Sequence, residues 1–218
     1  MAAFYGTMGK DSHTLERKLL MVNLPELWLV ILIATVVVFF ASAIMWMFMP
    51  HHHKDIQFLE DKESGYIEAV QSLDIKPGLY MYPGCDHKDS KNPEVMERWN
   101  AGPWGVLTIY EGKPNFAMNL IKTFAAFLVI TIFVAYITGI SVGPGAQYLH
   151  VFRVAGATAV LGHCMGGLCG SFFQGKPTRF IITDFIDGVV YALLTAGIFA
   201  WLWPALAQAA DMPIPAMN

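Results

Sequence analysis

The chain has 218 residues, 55% hydrophobic and 14% charged, with a formal net charge of −3. Soluble domains carry about 25% charged residues, so the composition argues against an ordinary soluble globule, and the mildly acidic balance gives no basic footprint for nucleic acid. Three cysteines without a CxxC pair signal neither a disulfide framework nor a zinc knuckle.

Residues 1–23 read as a short polar N-terminal segment containing Lys10, Arg17 and Lys18. The run at 24–49 has no basic residue and a single acid, Glu26, at its start. A secretory signal has an apolar stretch of only ~7–15 residues, whereas about 20 apolar residues suffice to span a bilayer. The run is therefore expected to be a first transmembrane helix. Trp28 and Trp46 lie near its ends, where indoles favour the headgroup region.

Residues 50–115 hold most of the charge, with eleven acids against seven bases. They are expected to fold as a small α+β extramembrane cap. Phe58, Tyr66, Ile67, Val70 and Leu73 fit an amphipathic helix closed by Lys76-Pro77-Gly78. Leu79 to Tyr82 and Gly105 to Tyr110 read as short strands. Between them Asn92-Pro93 starts a helix, with asparagine as N-cap and proline in the first turn, and Gly102 can close it. A cap of roughly 65 residues is marginal alone, so it is expected to lean on the membrane or on a partner.

Three further apolar runs follow, at 116–138, 149–173 and 181–203, and the tail occupies 204–218. The expected fold class is an all-α membrane protein with four transmembrane helices and a cap between the first and second. An even number of spans puts both termini on one side of the bilayer. Basic residues near the helix ends favour a cytoplasmic cap when all are counted. The flanks of the first helix favour cytoplasmic termini, so the orientation stays open.

Helix packing is expected along two small-residue ridges. Gly162, Gly166 and Gly170 lie four apart in the third run, and Gly188, Ala192, Ala196 and Ala200 lie four apart in the fourth. Four residues is just over one helical turn, and small ridges let backbones approach closely in lipid. The pattern predicts an antiparallel hairpin with a tight seam, which Gly166→Leu would force apart.

Charged groups inside spans cost ~2.5–3.5 kcal/mol each at mid-helix and so want partners at equal depth. Lys122 and Asp187 each lie about six residues in from the cap side, ~9 Å deep, and Glu26 and Arg153 both lie near the termini side. These make two candidate ion pairs. Asp187, Tyr191 and Thr195 form a polar stripe. It reads either as structural glue or as a proton or ion path.

His163 lies near mid-membrane in His163-Cys164-Met165-Gly166-Gly167-Leu168-Cys169. It reads as a packed histidine bonded to a neighbouring helix or as a contact for haem, copper or a quinone. Cys164 and Cys169 are about 140° apart on a regular helix, so they converge only if Gly166-Gly167 unwinds it. His51, His52 and His53 with Cys85 and His87 read either as a polar histidine belt at the headgroups plus a loop cysteine, or as metal candidates, since imidazole and thiolate suit copper or zinc. Their spacing fits no closed site, and a haem-attachment CxxCH is absent. The cofactor is therefore unknown, with copper, zinc or haem each open. There is no Walker loop, GxSxG, HExxH or dinucleotide glycine pattern, so no enzyme is signalled.

The sequence resembles a family of small bacterial inner-membrane proteins with four helices and no assigned activity. The residues that carry this are Met45-Trp46 to Pro50-His51-His52, Pro77-Gly78-Leu79-Tyr80-Met81-Tyr82-Pro83, Gly102-Pro103, and Thr195-Ala196-Gly197 through Trp201-Leu202-Trp203-Pro204. The resemblance implies a bacterial inner membrane and carries over no catalytic residue. With tight seams and no catalytic motif, the expectation is a non-enzymatic accessory or assembly subunit. Its partners would be the lipid bilayer and other membrane subunits. Metal or cofactor handling comes second, and a small proton or ion pathway third.

Overall fold

A computed structural model of the chain describes residues 21–89 and 91–206. The expected polar segment at 1–23 and tail at 204–218 therefore lie largely outside the described residues. The described chain divides into two compact units: 21–49, 118–166 and 182–206 form the first, and 50–117 with 167–181 the second.

Among the described residues four helical stretches are long and apolar enough to cross a membrane: Leu24–Met47, Phe116–Ser141, Tyr148–Phe173 and Thr178–Trp201. At ~1.5 Å per residue they are about 36–39 Å long, against a hydrocarbon core of about 30 Å. The first opens with a 3-10 turn, Leu24–Leu27, carrying proline near its start, and continues as α1, Trp28–Met47. The second is one helix, α4, Phe116–Ser141, and the fourth is α7, Thr178–Trp201. The third is not one helix. It is α5, Tyr148–Val160, then a π-helical turn, Leu161–Met165, then a turn at Gly166 and Gly167, then α6, Leu168–Phe173.

The core of the first unit is built from small and β-branched residues. Ala34, Val134, Ala135, Val151, Ala155, Ala159 and Phe199 are fully buried. Three buried threonines satisfy their hydroxyls by bonding back one turn, whereas Thr138 Oγ1 is buried with no hydrogen-bond partner among the described residues. Thr35 Oγ1 donates to Ile31 O, Thr131 to Phe127 O and Thr195 to Tyr191 O, each at 2.8 Å. At one end of the unit backbone groups left over by the helix ends are shared between segments. Val22 N–H donates to Gly139 O at 2.9 Å and Gly145 N–H to Pro204 O at 2.8 Å. Trp203 Nε1 donates to Gly143 O at 2.9 Å.

The third and fourth stretches do meet at small residues, but not along the glycine ridge. A Cβ at Gly156 would lie 3.3 Å from Ala196 Cβ, and one at Gly188 would lie 2.9 Å from His163 O. Ala192 is buried, and Ala200 nearly so. Gly162 instead faces Ile130 of α4, Gly166 meets only Gly162 O of its own segment at 3.7 Å, and Gly170 meets no described atom within 4 Å. The Gly162–Gly166–Gly170 seam is thus corrected to one through Gly156 and the His163–Cys164 backbone. The fourfold spacing assumed 3.6 residues per turn. The π turn bonds i to i+5 and, with the break after it, rotates the later glycines off that face.

In the second unit 3-10 turns at Pro50–His52 and Glu60–Lys62 precede α2, Glu63–Ser72. Strand β1, Gly78–Tyr82, pairs antiparallel with β2, Gly105–Ile109, in the register Gly78 to Ile109 and Tyr82 to Gly105. Helix α3, Pro93–Ala101, lies between them in sequence. Asn92 Oδ1 accepts the Glu94 N–H at 3.0 Å, and Gly102, at φ 66°, closes the helix by donating to Arg98 O. A positive φ is why glycine stands there.

Candidate functional site

Two polar clusters stand out, one in each unit. In the first unit the π turn presents His163 to its neighbours. Its ring lies 5.7 Å from Phe127 of α4 and 5.8 Å from Tyr191 of α7, centroid to centroid, at steep interplanar angles. Tyr191 Oη donates to Asp187 Oδ2 at 3.2 Å, and Asp187 is almost completely buried. His163 Nε2 is buried and has no hydrogen-bond partner among the described residues. The expected bond from this histidine to a neighbouring helix is therefore not made at Nε2. Gly188 makes the approach possible, because its missing side chain leaves room for His163 O and Cys164 Sγ. Cys164 is buried, with its thiol 3.8 Å from Phe185 O, whereas Cys169 is exposed.

Neither expected ion pair forms. Lys122 is exposed and makes no ion pair among the described residues, while Asp187 points inward and takes the Tyr191 hydroxyl. Equal depth was the only basis for pairing them, and depth does not fix the direction a side chain takes around its helix. Arg153 is exposed as well, and Glu26 accepts instead from Asn23 Nδ2 at 2.7 Å, three residues back. The polar stripe Asp187–Tyr191–Thr195 is buried along its whole length.

The second cluster follows the end of α1. His52 Nδ1 and Asp55 Oδ2 are 2.8 Å apart, and the Asp55 side chain has no solvent exposure. Arg179 Nε lies 3.1 Å from Asp55 Oδ1, and Arg179 Nη2 donates to His51 O at 2.8 Å. The rings of His51 and His52 are 4.1 Å apart and tilted. A buried carboxylate is thus held between an imidazole and a guanidinium, the condition under which a buried charge is tolerated. His53, by contrast, is exposed.

Cys85 and His87 are exposed and belong to no three-ligand cluster among the described residues. The cysteine thiol has only a long contact to Asp86 O, at 3.7 Å. The expected metal set of histidine belt plus Cys85 and His87 is therefore not assembled. Sequence reasoning missed Asp55 and Arg179. The signal available was the i,i+3 spacing of His52 and Asp55; nothing in the sequence pointed to Arg179. Comparison with protein-family models, with curated proteins and with solved structures gives no match.

Proposed function

We propose that the chain is a four-span protein of a bacterial inner membrane, with both termini on one side, that acts as a non-enzymatic accessory or assembly subunit of a larger complex. The observation that supports this is the poverty of the cap core. Among the described residues of the second unit Val95 is the only buried apolar side chain. Ile56, Phe58, Leu73, Leu79, Met81 and Tyr110 are all exposed, Phe58 to 83%. Burying one such side chain is worth about 1.5–3 kcal/mol, and a unit with so little apolar core of its own gains stability by covering them. A partner surface gives them cover. Arg153 and Lys122, exposed on the spans without ion pairs among the described residues, would likewise find acidic partners on neighbouring subunits.

Co-purification from native membranes in mild detergent tests the proposal. Stoichiometric partners are expected, and they should be lost when Phe58 and Leu79 are both changed to Ser. A lone monomer from the wild-type chain would refute it.

A metal-handling role is the second reading, favoured by the His52–Asp55 bond. A carboxylate on one ring nitrogen orients a histidine for metal binding through the other, and imidazole suits copper or zinc. Elemental analysis of purified protein decides it, since metal at background level rules it out.

A further inference from the structure

The second unit contains a cavity of about 370 Å³ whose lining includes Met81, Tyr82, Trp99, Trp104, Phe173 and Gln174. We infer that this cavity is a binding site for a small quaternary-ammonium cation, held against the faces of Tyr82, Trp99 and Trp104.

Glycine and one hydrogen bond set the rings of Tyr82 and Trp104 in place before any ligand arrives, while Trp99 supplies the third aromatic side chain of the lining. Tyr82 and Gly105 are cross-strand partners, and the phenol ring lies over the Gly105 α-carbon so closely that a Cβ there would run into it. The indole of Trp104 lies against Gly102 in the same way, with ring carbons 3.0–3.2 Å from where a Cβ would stand. Trp104 Nε1 donates to Trp99 O at 2.7 Å, which ties the two tryptophan positions together. Trp104 is nevertheless 62% exposed, so its ring is ordered without being covered. Preorganised aromatic walls spare a ligand the cost of ordering them.

The chemistry of the walls selects the ligand class. No lining residue carries a charge, so neither an anion nor a carboxylate-seeking ammonium finds an ion pair. The second unit carries eleven acids against nine bases, with Lys176 next to the lining residue Gly175, so its small negative excess favours a cation over an anion only weakly. A strongly hydrated cation needs a carboxylate or several converging acceptors to leave water, and no lining residue is acidic. A quaternary ammonium has no N–H to satisfy and is drawn to aromatic faces. The inference does not depend on the accessory-subunit reading, because a monomer would carry the same cavity.

Titration calorimetry of the full chain tests it, in a maltoside detergent so that no phosphocholine headgroup competes. Choline is the probe, and its neutral isostere 3,3-dimethylbutan-1-ol is the control. Choline should bind about tenfold or more tightly than the isostere, and Trp104→Leu should remove most of that preference. Trp104→Phe keeps a ring on Gly102 and should retain binding, which separates loss of the face from loss of the fold. Equal binding of both compounds would overturn the inference by showing an apolar groove. Absence of choline binding to the wild-type chain would overturn it outright. Repeating the titration in nanodiscs of phosphatidylcholine and of phosphatidylglycerol identifies the source: a lipid headgroup as occupant weakens choline binding in the first only, a free solute in neither.

Discussion

Gly188→Ala probes the closest helix contact in the first unit. The new Cβ would stand 2.8 Å from Cys164 Sγ, 2.9 Å from His163 O and 3.1 Å from the His163 carbonyl carbon, whereas carbon contacts are favourable near 3.5–4.0 Å. The thiol can swing aside, but the carbonyl belongs to the π turn and cannot. Alanine gains about 1 kcal/mol over glycine within a helix, and overpacking costs about 1–3 kcal/mol. Gly170→Ala is the matched control, because it takes the propensity gain with no described atom within 4 Å. The difference between the two variants is then the overpacking alone. At about 2–4 °C per kcal/mol for a chain of this size, Gly188→Ala should melt about 2–12 °C below Gly170→Ala. The assay is thermal unfolding in detergent, followed by tryptophan fluorescence and circular dichroism. Adding Cys164→Ala to Gly188→Ala removes the sulfur but leaves the carbonyl, so it should restore only part of the loss. Coincident melting of the two glycine variants, or full rescue by Cys164→Ala, would refute this account of the packing.

Gly166→Leu, destructive if the glycine ridge were the seam, should stay within about 0.5 kcal/mol of wild type as exposed substitutions usually do; the same melting assay reads it. Lys122→Met and Asp187→Leu should be additive within about 0.5 kcal/mol in a double-mutant cycle, with Asp187→Leu the costlier because it strands the Tyr191 hydroxyl, at about 1–3 kcal/mol. Arg179→Met should cost about 2 kcal/mol, between the values for exposed and buried pairs, since the arginine side chain is 50% exposed and that of Asp55 is not exposed at all; melting shows the loss, and faster amide exchange at 51–55 locates it. Asn92→Ala should cost about 1 kcal/mol through the lost cap, seen as faster exchange of the Glu94 amide in the full chain.

The four long helices were legible because runs of some two dozen apolar residues admit little else. Helix α3 was legible for a different reason: Asn92, Pro93 and Gly102 state its start and stop in residue chemistry. What stayed hidden depends on angle and on distance along the chain. The π turn at Leu161–Met165 is a shift in hydrogen bonding, and the glycine spacing that suggested a ridge across it carries no trace of that shift. Lys122 and Asp187 share a depth but not a direction. The Asp55–Arg179 pair joins residues on opposite flanks of two long helices' worth of sequence. His52 was visible as part of a histidine run, while the carboxylate that orients it was overlooked as one loop acid among eleven.

The docking of Arg179 on the 51–55 segment has a consequence for the order in which the chain is made. The partners His51 and Arg179 are separated by 128 residues. At about 5–20 residues per second, the ribosome takes roughly 6–26 seconds to deliver the guanidinium after the loop has emerged. Through that interval Asp55 has His52 beside it and no arginine. The segment leaving α1 is therefore a late-closing clasp. Until α7 begins, the Asp55 carboxylate lacks the guanidinium that faces it in the folded chain.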